Sequence, residues 1–164
     1  MTEDRADLLT LLRRLDDPQY REWPRDYDRR ETAALFDRLV KRLEGDFACR
    51  CATEQDTQDS SEYGRVTVPA AATVRGTRIV ICISKFGSLA LVCADNPGAF
   101  LGTEEALTAG ELDPNDLRKA DRALGDLGYA VLPEELLEST YDGPSRLHHH
   151  VERPSWWHRF FGTF

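Results

Sequence analysis

The sequence predicts a single α+β domain over residues 1–164, with a mainly antiparallel sheet of four to five strands. Three observations carry that expectation. Two stretches of helical periodicity precede residue 45, four strand-like runs follow one another between residues 47 and 93, and a capped helix and a short strand come after them. The length of 164 residues suits one ordinary core better than two small ones.

Residues 4–15 repeat leucine at helical spacing, with Leu8, Leu11, Leu12 and Leu15 on one face. Asp16-Asp17-Pro18 ends that helix. A connector with Tyr20, Trp23 and Tyr27 leads to a second helix over about 29–44. Asp28 and Glu31 have the spacing of a capping box, Leu35, Phe36, Leu39, Val40 and Leu43 form its buried stripe, and Gly45 is placed to stop it. Both helices are expected to cover the sheet.

The period then changes to two. Phe47, Cys49, Cys51 and Thr53 alternate with Ala48, Arg50, Ala52 and Glu54, as in a strand. A polar loop over 54–62 precedes a strand over 65–68 that Pro69 stops. Residues 78–84 are apolar on both faces, so this strand is expected at the centre of the sheet. The turn Lys85-Phe86-Gly87 joins it to a strand over 88–93. A three-residue turn there places Cys82 and Cys93 on opposite faces, whereas a two-residue turn at 86–87 places them on one.

Asp95-Asn96-Pro97-Gly98 reads as a turn. Asp113 and Pro114 read as the cap and first residue of a helix that runs to about Leu127, closed by Gly128. Tyr129–Leu132 is a short last strand and 133–138 one helical turn. Residues 142–154 read as a surface connector. Trp156, Trp157, Phe160 and Phe161 are too many aromatics to leave exposed, so the tail is expected to dock on the body and seal one edge, with Trp157, Phe160 and Phe161 inward.

Charge narrows the function. The net charge is −8, which disfavours nucleic acid and anionic membranes as partners. Residues 94–142 hold twelve acids against three bases, a balance of −9 on a nearly neutral remainder. Such a stretch has two readings, a solvated surface with helix-stabilising acids or an electrostatic surface for a basic protein. The start of the chain lacks the apolar core of a secretory signal, and no apolar run is long enough to span a membrane, so a cytoplasmic location is expected. Reduced, buried thiols are the expected state of the four cysteines.

Motifs for chemistry are weak. Cys49-x-Cys51 lacks the two-to-four-residue spacing of zinc ligands, and no cofactor or metal is expected. His148-His149-His150 reads as a surface run. Glu54, Asp56, Asp59 and Glu62 lack the ligand pattern and glycine of a calcium loop. Ser60, Ser61, Ser84 and Ser88 lie in no nucleophile elbow, and no glycine-rich phosphate loop occurs. An enzyme is therefore not expected.

Four stretches together resemble a known group. They are Gln58–Pro69 (QDSSEYGRVTVP), Ile83–Ala90 (ISKFGSLA), Gly128–Leu137 with Tyr141-Asp142-Gly143, and Ser155–Gly162 (SWWHRFFG). Their order resembles small cytosolic bacterial proteins, mostly uncharacterised, some of them similar to immunity proteins of polymorphic toxin systems. The resemblance covers roughly residues 55–162 and implies a scaffold with no catalytic residues to carry over. Together with the charge it implies a non-enzymatic protein-binding role, such as neutralising a basic toxin domain. The candidate partner-binding residues are Glu104, Glu105, Glu111, Glu134 and Glu135, with Asp56 and Asp59 beside them. The alternative is a small-molecule-binding domain or enzyme with a pocket beside the central hairpin.

Overall fold

A computed structural model describes residues 5–55, 57–147 and 153–162. Asp56 and the 148–150 histidine run lie outside the described residues. The fold is α+β: one five-stranded sheet in the order β1-β2-β3-β4-β5, between two layers of helices. The strands are β1 (Ala52–Gln55), β2 (Glu62–Val68), β3 (Ile79–Ser84), β4 (Leu89–Ala94) and β5 (Ala130–Leu132). The first four pair antiparallel, while β5 lies parallel to β4. A parallel neighbour needs a crossover, and the chain between β4 and β5 supplies one.

Helices α1 (Arg5–Leu15) and α2 (Arg29–Phe47) cover opposite faces of the sheet. Phe36, Leu39 and Leu43 of α2 pack with Val66, Ile79, Ile81, Ile83 and Val92. The crossover helices α3 (Thr103–Thr108) and α4 (Pro114–Asp126) join that layer through Ala106, Ala120, Ala123 and Leu124. On the other face, Leu8 and Leu12 pack with Val80, Cys82, Leu91 and Cys93. There they meet α5 (Glu134–Leu137) and α6 (Trp156–Phe161). Every residue of β3 and β4 is buried, as expected of strands covered on both sides.

Local signals act as the sequence suggests at two helix starts. The Asp28 carboxylate accepts the Arg30 and Glu31 N–H groups, and that of Asp113 accepts those of Asn115 and Asp116. Other expectations are corrected. Helix α2 passes through Gly45 to Phe47 and ends where Ala48 turns left-handed at φ 50°. Burying Phe47 is worth about 1.5–3 kcal/mol, which exceeds the roughly 1 kcal/mol cost of a helical glycine. The first part of the alternation, residues 47–51, is therefore not strand. Only Ala52–Gln55 pairs, on an edge where all four residues are exposed. Helix α3 and a 3-10 turn at Ala70–Ala72 are further elements with no expected counterpart.

The β3–β4 register pairs Cys82 with Leu91 and Val80 with Cys93, which puts both thiols on one face. Gly87 in the connecting turn has φ 55° and the Leu15 side chain against it, so a Cβ there meets both strain and collision. Helix α6 lies across the α1 face of the sheet rather than along an edge. Trp156, Phe160 and Phe161 point inward, and Trp157 is only partly buried.

The hairpin end of the sheet is closed by polar groups. Ser84 Oγ donates to the Phe160 carbonyl at 2.7 Å, and Ser60 Oγ and Ser61 N–H donate to that of Gly162. Arg159 is fully buried, with Nε 2.6 Å from Asp16 Oδ1 and its other nitrogens on the carbonyls of Asp17, Tyr20 and Arg21. Asp16 also accepts the hydroxyls of Ser145 and Tyr141, which ties part of the 142–154 connector into the interior.

Candidate functional site

Among the described residues, a concavity of about 710 Å³ runs along the β5 edge. Its apolar lining includes Leu117, Val131, Leu132 and Pro133, and its charged lining is Glu104, Asp121, Arg122 and Glu135. The local sequence builds this arrangement. β5 pairs with β4 on one side only, so its other edge presents unpaired backbone groups. The proline after β5 starts α5, which places Glu135 back over the start of α3. There Glu135 Oε1 accepts the Glu104 N–H at 3.0 Å and lies over Gly102, where a Cβ would displace the Glu135 carboxylate.

Asp121 faces the same groove from α4. The residue is exposed overall, yet its carboxyl is partly desolvated, and burial alone pushes its pKa above the ordinary value. Glu104, exposed on α3, makes no ion pair among the described residues. The groove therefore brings together three carboxylates and one guanidinium around an apolar floor. Leu101, 81% exposed, projects from the loop just before α3, and Glu105 Oε2 accepts its N–H at 3.1 Å.

The five candidate glutamates are thus divided by the fold. Glu104 and Glu135 line the groove. Glu105 holds the α3 entry loop from outside it. Glu111 accepts the Thr77 hydroxyl and braces the turn before β3. Glu134 is 4% exposed, accepts the Gly98 N–H at 2.9 Å and is raised in pKa chiefly by burial. Most other acids of residues 94–142 also have intramolecular duties. Asp95 pairs with Arg78, Asp126 with Arg42 and Asp142 with Arg13, while Asp116 accepts the Val74 N–H. Asp121 was absent from the sequence-based set; only the packing of α4 against β5 reveals it.

The second concavity, of about 570 Å³, lies beside the β3–β4 hairpin. Trp23, Tyr27, Arg29, Asp59 and Lys85 are among its lining residues. The Trp23 and Tyr27 rings stack at 6.2 Å. Lys85 is buried here, with Nζ donating to the carbonyls of Thr57 and Ser60 and to Glu22 Oε1. All three ammonium donors are engaged, so Lys85 braces the loop before β2 and offers no free proton. Asp59 has φ 53°, and its N–H donates to Glu22 Oε1 at 3.1 Å.

Among the described residues, no three His, Cys, Asp or Glu side chains are grouped to hold a metal ion. No helix among them is long and apolar enough to cross a membrane. Comparison with known protein families, curated proteins and solved structures finds no match.

Proposed function

We infer that this chain is a non-enzymatic protein-binding domain whose β5-edge groove takes a basic, extended segment of a partner protein. The observation that carries this reading is the coincidence of an open strand edge, an apolar floor and three carboxylates against one guanidinium in one groove. A strand laid against β5 exchanges main-chain hydrogen bonds with it, and alternate side chains enter the groove. Lysine or arginine in that segment meets Glu104, Asp121 and Glu135. The −9 charge of residues 94–142 steers such a partner from a distance and accelerates association at low salt.

The biological form of this activity is immunity: masking the phosphate-gripping surface of a basic toxin. The resemblance in residues 58–69, 83–90, 128–143 and 155–162 supports that form, as does the acidity. Co-expression with the variable C-terminal domain of a large secreted protein encoded beside this chain tests it. Wild-type protein restores growth, and the E104R/D121R double variant loses the protection. Equal protection by wild type and the double variant contradicts the groove assignment.

The cavity beside the hairpin favours a second reading, a small-ligand site walled by Trp23 and Tyr27. Quenching of Trp23 fluorescence by a ligand, abolished in W23F, separates this reading from the first.

A further inference from the structure

The corner between α2 and β1 carries a pair of thiols that the protein-binding reading does not use. Cys49 Sγ and Cys51 Sγ lie 3.9 Å apart, and both residues are only partly buried. Their closeness is built by the backbone. Ala48 turns left-handed at the end of α2, and the Cys49 N–H then donates back to the Glu44 carbonyl at 3.1 Å. Two residues on, the Cys51 N–H donates to Glu44 Oε2 at 2.9 Å. One residue thus anchors both ends of the Cys49-Arg50-Cys51 segment, through its main chain and through its side chain. The segment cannot extend into the strand that its alternation suggests, and the two thiols face each other.

We propose that Cys49 and Cys51 form an oxidant-responsive dithiol that closes reversibly to a disulfide. A bridge needs the sulfurs at about 2.05 Å, so side-chain rotation within the anchored turn must bring them closer by roughly the difference from the present spacing. Among the described residues the nearby donor set is too small for zinc, which takes four ligands. The other thiols lack this access: Cys82 and Cys93 are buried on the α1 face of the sheet, where burial pushes both far up in pKa.

The oxidant class is a hydroperoxide. Cys49 Sγ attacks the terminal peroxide oxygen, the O–O bond breaks, and the departing oxygen takes the thiol proton and leaves as water from hydrogen peroxide or as an alcohol from an organic hydroperoxide. Cys49 is then a sulfenic acid. Cys51 Sγ displaces the sulfenic hydroxyl, which leaves as water with the Cys51 proton, and the S–S bond forms. Two thiols lose one electron each, and the peroxide gains both. Burial, chiefly, with the neighbouring Cys49 and Glu44, pushes the Cys51 thiol up to about 12. The part of that rise owed to Cys49 disappears once Cys49 is oxidised. In a reducing compartment the resting state is the dithiol.

Trypsin offers a direct readout, because Arg50 separates the two cysteines. Folded, reduced protein is treated with hydrogen peroxide, blocked with N-ethylmaleimide under denaturing conditions and digested. The proposal expects peptides 43–50 and 51–65 to stay joined, with the mass of two hydrogens lost, and to separate after dithiothreitol. Cys82 and Cys93 carry the blocking group throughout. In C51S, dimedone labels Cys49 and no joined peptide forms. Three results overturn the proposal: peroxide leaves all four thiols unchanged, Cys49 accumulates oxygens without bridging, or the bridge involves Cys82 or Cys93. The wild-type digest decides among these even where C51S folds poorly.

Discussion

Arg159 and Asp121 are both charged groups drawn partly or wholly out of water, and the fold treats them differently. Arg159, at the hairpin end, meets a carboxylate and three carbonyls and is completely enclosed. Asp121, at the β5 edge, is partly desolvated and makes no ion pair among the described residues. At the hairpin end the charge organises the interior, joining α1, the 17–21 connector and α6. At the β5 edge the burial cost is left standing on a surface, where the proposed basic partner would relieve it. On the proposed function, the contrast separates scaffold from binding surface within one sheet.

The strongest way to break this contrast is at Arg159. Replacing it with methionine leaves Asp16 buried without its counter-charge, and losing one partner of a buried pair costs about 3–5 kcal/mol. Urea unfolding measures the loss. A change within the noise of that measurement removes the claim that the pair organises this end.

Ser84→Ala is expected to cost less. Its hydroxyl joins the Phe160 carbonyl to the turn by accepting the Phe86 N–H, and orphaned buried groups cost about 1–3 kcal/mol. Thermal unfolding of the variant checks it.

Glu104→Gln and Asp121→Asn belong to the other side of the comparison. Both are expected to leave stability within about 0.5 kcal/mol of wild type, as surface changes do. A large loss in either gives that acid a structural duty and weakens its assignment to binding.

The smallest effect is a pH dependence. The folded pKa of Asp121 lies above its ordinary value of 3.8, so the folded state binds a proton more readily than the unfolded chain. Its stability penalty is full above the raised value and vanishes as pH falls towards 3.8. The stability advantage of Asp121→Asn over wild type therefore shrinks on acidification. Asp95 has the opposite sign, because its bond to Arg78 lowers its pKa: its contribution is present above 3.8 and lost below. Unfolding curves at several pH values for Asp121→Asn and Asp95→Asn separate the two trends.

Much of this architecture is legible in the residues. The leucine stripes, Asp28, Asp113 and the apolar run 79–84 each act locally, so sequence spacing reads them correctly. Three features escape because their causes are distant in sequence. Helix α2 outruns Gly45 since Phe47 finds a place in the core, and that displacement converts an apparent strand into the Cys49–Cys51 corner. Arg159 gives no sign in sequence that it will meet Asp16. The groove depends on a parallel β5 beside α4, so Glu104 and Glu135 are found from charge density, while Asp121 emerges only with the packing. Charge density also overreaches: Glu134, Glu111 and Glu105 stand in the same acidic stretch but hold backbone or hydroxyl donors within the fold.

The central claim is that the β5 edge binds basic extended chain. An amide chemical-shift titration with the peptide Lys-Val-Lys-Val-Lys, repeated on the E104R/D121R protein, tests it most directly. The account predicts shifts concentrated at residues 103–105, 121–122 and 130–135 in the wild type, weakened by salt and absent in the double variant. Shifts spread over other acidic surfaces, or unchanged in the double variant, contradict it.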